Sequence, residues 1–146
     1  PPSIRRWSAV SEAGTATVLA TDLTPGLMTV AFVGSGKFIA ERPDVAERFV
    51  LALTEAARMM QGDDYLSAEN IEAYLTYTNS TEEALRKGSP VIYDPNMAIP
   101  VDGLADVERV HRENGRTDYQ EPIDLSKVID EQFVKAALGA LGEHKN

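Results

Sequence analysis

The segment Leu27–Gln61 constrains the fold more than any other part of this sequence. Its first part, Leu27–Val33, is almost entirely apolar and lies between a Pro-Gly pair and a Gly-Ser-Gly step, which predicts a strand buried on both faces. A long helix is predicted next, because Pro43 suits the first helical position and acidic residues fill the first turn. Gly62 ends this helix, whose apolar residues recur at helical spacing: Val45, Phe49, Leu53, Ala56 and Met60.

The other segments predict one further strand and several helices. The strand is Thr15–Ala20, which is rich in β-branched residues, and a short helix within Pro1–Gly14 precedes it. Three of the remaining predicted helices are Lys37–Glu41, Ala68–Tyr77 after a Ser67 cap, and Glu131–Leu141. Another runs from the Ser80/Glu83 capping box to Gly88. A further one is capped by Asp102 and closed by Asn114 and Gly115. Residues 142–146 are predicted to fray.

These elements predict an α/β fold that has few strands. Two strands do not easily form a stable sheet alone, so we expect the sheet to be incomplete within this chain. Residues 1–146 are therefore expected to form a single partial domain of a larger protein. The chain begins at Pro1 rather than Met and shows no signal peptide, which is consistent with a processed or excised chain.

The composition argues against several classes of function. The 146 residues are 43% hydrophobic and 25% charged, and the formal net charge is −9. Because nucleic-acid binding needs clustered Lys and Arg, we do not expect this acidic chain to bind nucleic acid. The chain contains no cysteine, so it has no disulfide or thiolate chemistry. No stretch approaches the roughly 20 apolar residues that span a bilayer.

No set of residues predicts catalysis, a metal site or a cofactor. His111 lies on a predicted helix and His144 in the tail, so a histidine pair with the spacing of metal ligands is absent. The paired acids Asp63-Asp64 and Glu82-Glu83 lie at predicted helix starts, where the helix dipole stabilises negative charge. We therefore do not predict an enzyme from these residues.

The segment Gly34–Lys37 is similar to part of a phosphate-binding loop. It is not such a loop, because Ala31 replaces the required first glycine and Phe38 replaces the hydroxyl residue that would hold magnesium. Ser35 and neighbouring backbone N–H groups can still contact an anionic group of a ligand at this position. The alternative is a simple connection between strand and helix.

The segment Ser3–Trp7 combines two guanidinium groups with an indole. Arg6 can hold a carboxylate, sulfonate or phosphate in a planar fork, and Trp7 offers an apolar wall beside it. The alternative is a surface helix anchored by its tryptophan. With Ser35, the predicted ligand-binding residues are thus Ser3, Arg6 and Trp7.

Three segments in this order resemble the carboxy-terminal region of ABC-transporter solute-binding proteins of the nitrate, taurine and aliphatic-sulfonate type, a family that includes thiamine-precursor binders. They are EAGTATVLATD (Glu12–Asp22), PGLMTVAFVGSGKFIAERPDVAERFVLALTEAA (Pro25–Ala57) and DLSKVIDEQFVKAALGALG (Asp124–Gly142). The chain departs from the family at Pro1, where a glutamate that often faces the ligand is usual.

The resemblance implies most of one lobe of a two-lobed, type II periplasmic-binding-protein-like fold. It also implies capture of a small solute, such as a sulfonate, nitrate or pyrimidine precursor, in a cleft that closes by hinge motion. A periplasmic or other extracytoplasmic location and a membrane permease as partner follow from the same resemblance.

Two alternatives stay open beside this binding function. One is an enzyme of the same fold that acts on a pyrimidine precursor, and the other is a stand-alone helical interaction domain. A partial lobe would need its strand edges covered, so we also expect a homodimer of this chain, formed for example by strand exchange.

Overall fold

The computed structural model describes residues 27–28, 30–88 and 90–145. Over these residues the secondary structure is helical and contains no strand. The predicted α/β fold class is therefore wrong, and the described part of the chain has a helix-only fold. The predicted strand Thr15–Ala20 and the predicted helix within Pro1–Gly14 lie outside the described residues.

The prediction of a buried strand over Leu27–Val33 is also wrong. Val30, Phe32 and Val33 are 67%, 65% and 93% exposed, and the described residues of the segment belong neither to a helix nor to a strand. An apolar run indicates that side chains avoid water, but a strand also needs a neighbour that satisfies its backbone N–H and C=O groups. No residue in the described part of the chain provides that neighbour.

Two consecutive helices follow this segment. Helix α1 spans Gly36–Glu41, and Ser35 caps it by accepting a hydrogen bond from the backbone N–H of Phe38 at 3.1 Å. Helix α2 spans Pro43–Met59 and begins at the predicted proline. Gly62 follows it with φ +52°, a conformation that favours glycine, so the predicted end of the helix is close to the observed one.

The later helices largely follow the predicted segments. Ser67 caps α3 as predicted, and Asn114 and Gly115 close α5 as predicted. In chain order the elements are a 3₁₀ turn at Gly62–Leu66, α3 at Ala68–Tyr77, α4 at Glu82–Lys87, α5 at Val101–Glu113, a second 3₁₀ turn at Leu125–Lys127 and α6 at Gln132–Leu141.

Two predicted N-caps are wrong. Thr81 caps α4 instead of Ser80, because its Oγ1 accepts a hydrogen bond from the backbone N–H of Ala84 at 3.2 Å. Helix α5 begins at Val101 without a side-chain cap, so Asp102 lies inside the first turn, where its charge favours the helix dipole.

The chain divides into two compact units, and the boundary falls inside α2, between Thr54 and Glu55. The described part of one unit is residues 55–88 and 90–95, called here the unit of residues 55–95, and that of the other is residues 27–28, 30–54 and 96–145. Whether residues 1–146 act as one partial domain stays a prediction.

The unit of residues 55–95 has a small core with a polar centre. Tyr65 and Ile71 are buried, and so is Asn70, which is 7% exposed. The Nδ2 atom of Asn70 donates to the backbone oxygens of Met59 at 2.9 Å and Asp64 at 2.7 Å. This one side chain therefore joins the end of α2 to the first 3₁₀ turn.

The other unit buries Ala46, Thr54 and Ala137, and Thr54 is 0% exposed. The Thr54 hydroxyl donates to the backbone oxygen of Val50 at 2.8 Å, so its polar atom is satisfied within α2.

The tail predicted to fray, residues 142–146, is fixed at His144. The backbone N–H of His144 donates to Asn96 Oδ1 at 2.8 Å, and Asn96 Nδ2 donates to the backbone oxygen of His144 at 3.0 Å. A distant side chain thus satisfies the backbone of this residue, and fraying of the tail stays a prediction.

Candidate functional site

Of the predicted ligand-binding residues, Ser35 is described by the structure. Ser3, Arg6 and Trp7 lie outside the described residues, so their proximity to Ser35 stays a prediction. Ser35 itself is exposed, and its Oγ is already occupied as the acceptor that caps α1. The hydroxyl proton is still available as one donor toward a ligand.

The glycine before Ser35 has a packing role. A Cβ atom on Gly34 would lie 3.2 Å from Cδ1 of Ile39, closer than nearly all such contacts. At Gly36, by contrast, a Cβ atom would meet nothing within 4 Å. A larger residue at Gly34 would therefore require the Ile39 side chain to shift by a few tenths of an ångström, whereas Gly36 leaves open space beside Ser35.

An exposed apolar strip consists of Val30, Phe32 and Val33, which directly precede this step, and of Phe49 in α2. The rings of Phe32 and Phe49 pack edge to face with centroids 5.8 Å apart and an interplanar angle of 83°. Phe32 is nevertheless 65% exposed and Phe49 50% exposed. Large apolar side chains that touch each other and remain open to solvent are typical of an interaction surface.

The backbone of residues 30–34 has no hydrogen-bond partner among the described residues. A segment whose N–H and C=O groups have no partner among the described residues, and whose apolar side chains are exposed, is a template on which another chain segment can bind. Among the described surfaces, the apolar strip is therefore the one that most clearly needs a binding partner to shield its side chains from water.

A tyrosine cluster lies in the unit of residues 55–95. The hydroxyl oxygens of Tyr65 and Tyr74 are 3.2 Å apart, and the backbone N–H of Val91 donates to the Tyr65 hydroxyl at 3.2 Å. Burial, with hydrogen bonds to Tyr65 and Tyr93, raises the pKa of Tyr74 above the ordinary value for tyrosine. Tyr74 therefore remains protonated at neutral pH and is suited to hydrogen bonding rather than to proton abstraction.

Two side chains near the end of α2 donate hydrogen bonds to the loop 90–95 of the same unit. Arg58 Nε donates to the backbone oxygen of Pro95 at 3.0 Å, and Gln61 Nε2 donates to that of Tyr93 at 3.0 Å. Ile92, in the middle of this loop, is 90% exposed. The loop therefore presents an apolar side chain on a backbone that is held in place.

Most ion pairs among the described residues join side chains three or four positions apart on the same helix. The acids Glu82 and Glu83 at the start of α4 pair with Arg86 at 2.8 Å and with Lys87 at 2.9 Å. His111 is exposed on α5. Among the described residues, no group of three or more His, Cys, Asp or Glu could hold a metal ion. No described helix is both long and apolar enough to cross a membrane.

Comparisons with known proteins add no relative to these observations. No family model, curated protein or solved structure matches this chain.

Sequence reasoning missed the features that long-range contacts create. Phe49 was assigned to the apolar face of the long helix, but the spacing does not show that Phe32 would cover it only in part. The apolar patch Val91–Tyr93 is visible in the sequence, whereas its attachment through Gln61 is not.

Proposed function

We propose that this chain is part of the substrate-binding component of an ABC importer and captures a small solute such as a sulfonate, nitrate or pyrimidine precursor. The resemblance in three ordered segments supports this function. The observation that carries the proposal is the exposed apolar strip of Val30, Phe32, Val33 and Phe49. It lies in the longest of those segments, and its apolar side chains need a binding partner that shields them from water. A chain that works together with further polypeptide is expected to expose such a surface.

The proposed contacts with the solute are few and polar. Arg6 supplies a planar pair of donors to the anionic group, Trp7 an apolar wall, and Ser3 and Ser35 hydroxyl groups. Ser35 contributes through its proton, because its oxygen accepts from the backbone of α1. No covalent step is part of this function, and the loaded protein would deliver the solute to a membrane permease from the extracytoplasmic side.

The solute class is tested by isothermal titration calorimetry with taurine, an aliphatic sulfonate, nitrate and a pyrimidine precursor. The variant Arg6→Gln should weaken binding of the anionic solute by about 10-fold to 100-fold, because a hydrogen bond to a charged group contributes roughly 1.5–3 kcal/mol. Arg5→Gln is the matched control, with the same charge change at the neighbouring residue. Equal losses in both variants, or no binding of any of these solutes, would refute the proposal.

A second test separates the capping role of Ser35 from a role in binding. Asp caps a helix about as well as Ser, so Ser35→Asp should leave α1 intact and place a negative charge beside an anionic solute. We expect Ser35→Asp to abolish binding and Ser35→Thr to retain most of it. Unchanged affinity in Ser35→Asp would remove this residue from the site.

A stand-alone helical interaction domain is the second candidate, and the helix-only fold of the described residues favours it. Such a domain would bind a protein segment and no small solute. Turnover of a bound pyrimidine precursor would instead indicate the enzyme alternative.

A further inference from the structure

We propose that the groove between α3 and α4 binds a short cationic amphipathic helix of another protein. This inference is independent of the proposed solute binding, because none of the residues it uses is a predicted solute contact. The groove encloses about 480 Å³. Its lining consists of Ala68, Ile71, Glu72, Leu75 and Thr76 from α3, with Glu82 and Arg86 from α4.

The floor of the groove is an apolar stripe along α3. Ala68, Ile71 and Leu75 recur at helical spacing and therefore lie on one face of the helix. Ile71 is 7% exposed and forms part of the core, whereas Leu75 is 43% exposed. An apolar side chain of a ligand would gain contact with Leu75 without displacing the core beneath it.

The rim of the groove carries excess negative charge. On α4, Glu82 already neutralises Arg86, with 2.8 Å between the charged atoms. On α3, Glu72 is exposed and has no cationic partner among the described residues. The charge balance of the lining therefore leaves one carboxylate available, which a Lys or Arg of a ligand can neutralise.

The length and the charge of the groove favour a short cationic helix as its ligand. The lining residues of α3 run from Ala68 to Thr76, which is eight steps along the helix and corresponds to roughly 12 Å or about two helical turns. A ligand helix of that length can place an apolar residue on Leu75 and a basic residue one turn away near Glu72. A second copy of this chain is disfavoured, because its formal net charge is −9 and the groove itself is acidic.

The probe for this test is a fluorescein-labelled synthetic helix of about three turns, with a leucine stripe flanked by lysines. Binding to the full chain is measured by fluorescence anisotropy at low and physiological salt. We expect saturable binding that weakens with salt, a loss of about 10-fold or more in Glu72→Lys, and a similar loss in Leu75→Asn. The same peptide with glutamates in place of the lysines should not bind.

Glu55→Lys is the matched control, since Glu55 is also exposed, lies in the same unit and has the same charge change. It should change the affinity by less than about twofold, because the same change of charge then lies outside the groove and is screened by salt. Circular dichroism and thermal melting of each variant show that the chain remains folded.

Four outcomes would overturn the proposal: no saturable binding, equal losses in Glu72→Lys and Glu55→Lys, equal binding of the glutamate peptide, or a dimer in sedimentation that Glu72→Lys dissociates. The last result would assign the groove to contacts between copies of this chain.

Discussion

Replacing Asn70 by aspartate should destabilise the unit of residues 55–95 more than replacing it by alanine. Asn70 is 7% exposed, and both hydrogens of its Nδ2 are used, on the backbone oxygens of Met59 and Asp64. Aspartate has nearly the same shape but presents an acceptor where the amide presents a donor. It would therefore bring a carboxylate oxygen against two carbonyl oxygens.

The expected magnitudes follow from the partners that remain. In Asn70→Ala, the oxygen of Asp64 keeps a hydrogen bond from Ser67 N–H at 2.9 Å, so that oxygen remains satisfied. The oxygen of Met59 loses the partner that Asn70 supplies. One lost bond and one unsatisfied carbonyl together cost about 2–4 kcal/mol. Asn70→Asp should cost about 3–5 kcal/mol, because it also buries an uncompensated charge.

The assay is urea unfolding followed by circular dichroism at neutral and mildly acidic pH. For Asn70→Asp, burial next to carbonyl oxygens raises the pKa of the new carboxyl above its unfolded value, so part of the lost stability should return as the pH falls. Asn79→Asp, at an exposed position in the turn after α3, is the control and should stay within about 0.5 kcal/mol. Equal losses in Asn70→Asp and Asn70→Ala, without recovery in acid, would refute the assigned hydrogen bonds.

Three further predictions concern other parts of the chain. Burial and hydrogen bonding raise the pKa of Tyr74 in the folded chain, so its phenol ionises first in the unfolded chain. The free energy of unfolding should therefore fall as the pH rises above about 10. Urea titrations at pH 8 to 11 should show that Tyr74→Phe loses this dependence. Gly139 lies inside α6 with open space around it, so Gly139→Ala should raise stability by about 0.5–1 kcal/mol. Gly142 has φ +74°, so Gly142→Ala should lower stability by about 1–3 kcal/mol. Equal shifts of the melting temperature would contradict this prediction. Asn96→Ala should free the backbone of His144, so that its amide exchanges hydrogen much faster; unchanged exchange would show that the contact does not protect it.

Local rules predict the helices of this chain well. Pro43 and Ser67 mark helix starts correctly, since a proline at the first position or a side-chain oxygen that accepts from the first turn acts within four residues. The cap of α4 was misplaced by one residue because Ser80 and Thr81 are both suitable acceptors, and the choice depends on the turn that α3 leaves behind.

The candidate site is less predictable, because its residues meet across the chain. Ser35 was recognised as a polar residue at a helix start, and its capping bond follows from that position. The contact between Arg58 and the backbone of Pro95 joins residues 37 positions apart, and no spacing rule indicates it. The same holds for Asn70, whose sequence neighbours are those of an ordinary amphipathic helix.

The failed strand prediction at Leu27–Val33 shows what an apolar pattern measures. The pattern reports that Val30, Phe32 and Val33 belong against other apolar atoms, and it does not name those atoms. In the described chain only Phe49 provides such a ring contact, and it does so for Phe32 alone. Among the described residues, the backbone of residues 30–34 has no hydrogen-bond partner either, although a buried extended segment would need one. Side chains and backbone thus independently indicate that residues 30–33 are a surface on which a further chain segment can bind.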